Sequence, residues 1–126
     1  MKVLVCGSRK WVDQRPIERE LLKLPPDTIV IHGACPGADN IAAYVAKRLG
    51  FVVRGYPALA KGRKWPEAGP DRNQEMLDEE HPSKDGALID LALIFHKDPN
   101  LGRGTKDMHA RLKAANPDIR IKIHRS

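Results

Sequence analysis

Short, nearly all-apolar runs alternate with segments of helical hydrophobic period along this chain, and few folds accept that order. Lys2 to Cys6, Thr28 to His32 and Leu88 to Phe95 are such runs. They suit strands buried on both faces, as in a parallel sheet covered by helices. Between the first two, Ile17, Leu21 and Leu24 recur at helical spacing from about Pro16, with Pro25-Pro26 as a stop. Ile41, Ala42, Val45, Ala46 and Leu49 mark one face of a second helix ending at Gly50, and Phe51 to Arg54 is a third strand candidate. A helix from about Pro70 carries Met76 and Leu77 and is over by Pro82, where a polar connector runs over residues 81–86. Met108, Leu112 and Ala115 give the last helix its apolar stripe. Ile119, Ile121 and Ile123 then alternate with Arg120, Lys122 and His124, the pattern of a half-exposed edge strand. Five strands alternating with four helices predict an α/β fold: one three-layer domain over residues 1–126 with a mostly parallel, doubly wound, five-stranded sheet. Residues 57–68, broken by Pro57, Gly62 and Pro66, are expected as a loop or lid.

Composition narrows the class. With 41% hydrophobic and 30% charged residues the chain reads as globular rather than disordered. No apolar run approaches the roughly 18 residues of a membrane span, and the apolar stretch after Lys2 is too short for a secretory signal. A cytoplasmic protein without a membrane partner is therefore expected, its two cysteines, Cys6 and Cys35, free thiols. The net charge of +6 favours anionic partners, nucleotides or nucleic acid.

In a doubly wound sheet, ligands sit outside the carboxyl ends of the strands, where strand order reverses. The segments expected on that rim are Gly7-Ser8-Arg9, Gly33 to Gly37, the stretch from Tyr56 to Arg72, and Leu101 to Thr105. Three are glycine-rich, and two open directly into helices, whose free N–H groups and partial positive charge suit a phosphate. Glycine also simply permits a sharp strand-to-helix turn, so each loop taken alone has a structural reading. Arg72 falls in the expected first turn of its helix, where a cation opposes the macrodipole. It either pairs locally with Asp71 or reaches a bound phosphate or carboxylate, with Asn73 bonding sugar or base. Arg9 faces the same choice. Thr105 suits a helix cap and, with the Gly104 amide, a ligand contact. Asp39 suits the start of the second helix and also a ribose hydroxyl or a rim arginine.

Other chemistries find less footing. There is no G-x-x-x-x-G-K-[ST] motif, and Gly102-Arg103-Gly104 lacks the third glycine of a dinucleotide fingerprint, so no cofactor is expected. Cys6, His32, Cys35 and His96 match no metal-ligand spacing, so no metal is expected either. Ser8 lacks a nucleophile-elbow context. Lys61 to Trp65 combines charge with one aromatic, which fits a lid, a solvated loop or a contact to single-stranded nucleic acid.

Together, V-C-G-S-R at Val5 to Arg9, Trp11 and Asp13, H-G-A-C-P-G-A-D at His32 to Asp39, Y-P-A at Tyr56 to Ala58, A-G-P-D-R-N-Q-E-M at Ala68 to Met76, and G-R-G-T-K-D-M at Gly102 to Met108 resemble the SLOG superfamily, closest to its YspA- and YpsA-related branch. The resemblance implies a Rossmann-like fold with a ligand site formed by these loops. It includes phosphoribohydrolases of the Lonely Guy type, the DNA-uptake protein DprA and sensors of nucleotide signals. The expected site is therefore Gly7, Ser8, Arg9, Gly33, Gly37, Asp39, Arg72, Asn73, Gly102, Gly104 and Thr105, binding a mononucleotide, ADP-ribose or a cyclic relative. The phosphoribohydrolases carry a glutamate three residues after the threonine of a G-G-x-G-T motif, where this chain has Met108. The acid of a glycosidase is thus missing from its place, and Asp107 is the one substitute, requiring a shifted helix start. A DprA-like single-strand binder and a homodimer, common among such relatives, are the remaining expectations.

Overall fold

The structure is a computed structural model that describes residues 1–81, 86–98 and 100–126. Its first strand, β1 (Lys2–Gly7), is buried along almost all its length because it lies at the centre of the sheet. Side chains alternate across a strand. Val3 and Val5 therefore enter one core, with Ile17, Leu21, Ala42 and Val45, while Leu4 and Cys6 enter another, with Met76, Leu77, Met108 and Leu112. The first core is roofed by α1 (Gln14–Leu21) and α2 (Ala38–Arg48), the second by α3 (Ala68–Glu80) and α4 (Gly102–Lys113). This is the three-layer α/β arrangement expected, and each fully buried Leu, Ile or Val adds roughly 1.5–3 kcal/mol to it.

The remaining strands are β2 (Ile29–His32), β3 (Val52–Gly55), β4 (Leu91–Phe95) and β5 (Arg120–His124), ordered β3-β2-β1-β4-β5. Every neighbouring pair is parallel, so the sheet is wholly rather than mostly parallel. The chain winds outward from β1 to β3 and then outward from β4 to β5, so strand order reverses between β1 and β4. Beyond their carboxyl ends the loops diverge and leave a crevice.

Several boundaries move from their expected places. Asp13 caps α1 by accepting from the Arg15 amide at 3.0 Å, starting that helix before Pro16. Helix α3 begins at Ala68, so Arg72 lies beyond the first turn and the macrodipole has less hold on it. Helix α4 begins at Gly102, which places Thr105 inside the helix rather than at its cap. The fourth strand starts at Leu91, not Leu88. Residues 82–85 of the polar connector, and Pro99 at the head of the following loop, lie outside the described residues. Among the described residues, no helix is long and apolar enough to cross a membrane.

One polar cluster lies inside this frame. Lys2 Nζ pairs with Glu80 Oε1 at 2.8 Å, both side chains fully buried, and donates to the Glu80 and Ala87 carbonyls. Arg54 Nη1 lies 2.7 Å from the same Glu80 oxygen, and Tyr56 Oη donates to Glu80 Oε2 at 2.6 Å. Burial works to raise the Glu80 pKa, but Lys2, Tyr56 and Arg54 hold it below the ordinary value. The cluster joins β1, β3 and the end of α3.

Candidate functional site

At the switch point, Ser8 N still donates to Phe95 O at 2.9 Å, so β1 and β4 stay joined until Ser8 turns away. The Ser8 carbonyl then accepts from Trp11 N and Ala38 N, fixing the turn against the start of α2. Gly37 makes this possible: it has φ of +79°, and a Cβ there would strike the Ser8 and Arg9 carbonyls. Gly37 therefore stands behind the wall of the crevice and does not line it. Gly7, Ser8 and Arg9 do line it.

Arg72 and Asp39 meet at Gly33. The Gly33 amide donates to Asp39 Oδ2 at 2.6 Å, while Arg72 Nη1 donates to the Gly33 carbonyl and, at 3.3 Å, to Tyr56 O. A Cβ on Gly33 would lie 2.6 Å from Arg72 Nη1, so a larger residue there would push the guanidinium from its place. Arg72 Nε donates to Asn73 Oδ1 at 2.9 Å, and Asn73 Nδ2 donates to Asp107 Oδ2 at 2.9 Å. Arg111 Nε donates to the same oxygen at 2.8 Å. An unbroken polar chain thus runs from Asp39 to Arg111 along one wall. Arg72, just 7% exposed, is largely occupied by protein carbonyls and is not paired to Asp71. Its Nη2 faces the half-buried Cys35 thiol at 3.6 Å.

These surroundings set the proton affinities. Burial pushes Asp39 up to about 6, against the Gly33 amide and the Arg72 charge, which favour the carboxylate. Burial acts the same way on Asp107, but the Arg111 and Asn73 hydrogen bonds outweigh it and hold that carboxyl below its ordinary pKa. Burial pushes the Cys6 thiol strongly up.

The facing wall is the start of α4. Its N-cap, Leu101, makes no side-chain cap, so the first amides of the helix lack that partner. Gly102, Gly104 and Thr105 line the crevice. Thr105 is 7% exposed, and its hydroxyl makes no hydrogen bond among the described residues. Met108 is packed in the core beneath the crevice and helps line it, so that part of the lining is apolar and holds no ionisable group. Around the rim stand Arg9, Lys10, Lys97, Arg103 and Lys106, with Arg72 within, against Asp39, Asp98 and Asp107. The crevice encloses about 1200 Å³, enough for a nucleotide-sized molecule.

A sequence profile of the YspA, cpYpsA-related SLOG family matches residues 1–61. The Gene 61 protein of Mycobacterium phage D29 is 32% identical over 130 residues, spanning 95% of this chain and 93% of that protein. The chain belongs to the YspA, cpYpsA-related SLOG family. SLOG membership is consistent with nucleotide-related ligands, and the crevice is where the fold gives such a ligand room. No solved structure matches this SLOG chain.

Trp65 and Pro66 line the crevice, within the stretch from Tyr56 to Arg72 expected on the rim. Sequence reasoning missed two other parts of the site. His96 and Lys97 line it because β4 ends directly at the switch point. Arg111 reaches Asp107 one helical turn away, an i,i+4 spacing that is readable once the helix is placed. The basic run at 61–65 is tied down instead of free. Lys61 and Arg63 both pair with Glu75, and Arg63 also donates to the Pro57 and Ala58 carbonyls.

Proposed function

We propose that the chain binds a phosphate-bearing nucleotide derivative, a mononucleotide, ADP-ribose or a cyclic relative, in the crevice between β1 and β4. The observation that carries this reading is the uncapped start of α4 beside the unpartnered, nearly buried Thr105 hydroxyl, inside a rim of predominantly positive charge. The amides at Arg103 and Gly104 and the Thr105 hydroxyl take the phosphate, and Arg9 and Arg103 add charge. Asp107, held ionised, accepts from a ribose hydroxyl. Arg72 and Asp39 shape the wall and position Asn73, since most of their hydrogen-bonding capacity goes to Gly33 and its neighbours.

Turnover draws no support from Asp107, because a carboxyl with a lowered pKa is a poor proton donor at neutral pH. A DprA-like single-strand reading is weakened by the pairing of Lys61 and Arg63 with Glu75. Calorimetric titration with AMP, ADP-ribose and a short oligonucleotide separates these readings. AMP or ADP-ribose should bind, and Thr105→Val should weaken the complex about tenfold, or about 1.4 kcal/mol, with an unchanged unfolding midpoint. If neither small nucleotide gives heat and the oligonucleotide binds with steep salt dependence, the nucleic-acid reading replaces this one.

A further inference from the structure

Trp65 is out of place for a structural aromatic. Trp11, Phe95, Phe51 and Tyr56 are buried, whereas Tyr44 and Trp65 are 57% and 53% exposed, and of these two Trp65 stands on the wall of the crevice. Its carrier segment is anchored, since Arg63 bonds back to Pro57 O and Ala58 O and across to Glu75 on α3. The ring lies over the start of α3, where a Cβ on Gly69 would come within 3.4 Å of Trp65 Cζ3. The guanidinium of Arg9, from the loop after β1, covers the ring with Cζ 5.6 Å from its centroid. Arg9 is itself exposed and pairs with no carboxylate among the described residues.

We propose that Trp65 is the stacking platform for the base of a purine nucleotide, and that Arg9 is a placeholder which the base displaces. This rests on the nucleotide reading of the crevice and adds to it where the base lies. A large π-face is what a base needs, and stacking on an aromatic ring outlasts an exposed cation–π contact in water. Displaced from the ring, Arg9 remains on the rim of the crevice that α4 enters, free to pair with phosphate. Apart from Arg9, which the base displaces, the crevice residues close to Trp65 in the chain are Pro66, Gly69 and Pro70, whose side chains carry no hydrogen-bonding group. The platform therefore reads the area of a base and not its edge, so adenine and guanine bind alike.

The test compares AMP, GMP and ribose 5-phosphate on the wild-type protein, Trp65→Leu and Trp65→Phe. The expected result is AMP and GMP within threefold of each other and at least tenfold tighter than ribose 5-phosphate. Trp65→Leu should abolish that advantage without changing the affinity for ribose 5-phosphate, and Trp65→Phe should keep most of it. AMP should quench tryptophan emission in the wild type and not in Trp65→Phe, whose remaining Trp11 is buried. Equal binding of AMP and ribose 5-phosphate, or an equal loss for both in Trp65→Leu, overturns the platform and leaves the phosphate site standing. Binding of none of the three overturns the site and the platform with it.

Discussion

Gly33 is gripped at both ends of its backbone: Asp39 takes its amide and Arg72 its carbonyl. The burial of Asp39 in that grip has a measurable cost, because its folded-state pKa of about 6 lies above the ordinary 3.8. The folded protein then holds a proton that the unfolded chain releases. The resulting stabilisation is complete below about pH 4 and is lost as pH rises through about 6. Asp39→Asn keeps an oxygen for the Gly33 amide and removes the titration. Relative to this variant, the wild type should lose about 1 kcal/mol between pH 5 and 7.5, as measured by urea unfolding at both values. Equal pH dependence in the two proteins would mean that Asp39 keeps its ordinary pKa in the fold. At this scale the sequence is a good guide to which residues gather but not to what they touch. Arg72, Asp39 and Asn73 do come together, yet mainly on one another and on backbone. A sequence shows residue types and order, while the acceptors that occupy Arg72 are carbonyls of distant loops.

Helix α4, like α2 and α3, starts at the crevice without a side-chain cap, and among the described residues no backbone carbonyl meets its first amides. By contrast, the first amides of α2 are met by Ser8 O and Cys35 O. The glycine loop after β2 and the one before α4 look equivalent in sequence; only the packing of Gly37 against Ser8 tells them apart. Gly104 sits in the first turn of α4, and no atom would lie within 4 Å of a Cβ placed there. Gly104→Asp should consequently help the helix, through backbone entropy and the macrodipole, and raise stability by about 1 kcal/mol. The same charge should repel a phosphate and weaken AMP binding at least tenfold. Thermal unfolding and titration of one preparation check both halves; stabilisation with undiminished affinity would place the phosphate elsewhere. The helix starts were misread for a related reason. Glu67 and Leu101 are not recognisable caps, so the first turns of α3 and α4 are set by tertiary packing instead of by a local signal.

Across the molecule, the alternation of apolar runs was enough to specify five strands, four helices and the crevice at their carboxyl ends. The buried Lys2–Glu80 pair was not legible, because a lysine at the head of a strand ordinarily looks solvated. Glu80→Ala should lower stability by about 3–5 kcal/mol, since it leaves Lys2 charged in a dry interior. Replacing both with methionine should recover most of that loss in urea unfolding; a double variant as unstable as the single one would show that the cost lies in packing alone. Wild-type stability from Glu80 is present above its ordinary pKa near 4.5 and is lost as acid protonates it.

The crevice also divides its residues into two kinds. Asp39, Gly33, Arg72 and Asn73 are locked into one another, and any change there is felt by the whole wall. Arg9, Lys10, Arg103 and Lys106 are exposed, and none is part of that wall. Mutation can therefore retune the rim one position at a time while the frame beneath keeps its shape. On the proposed function, a lineage carrying this chain is free to exchange one anionic ligand for another without passing through an unfolded intermediate.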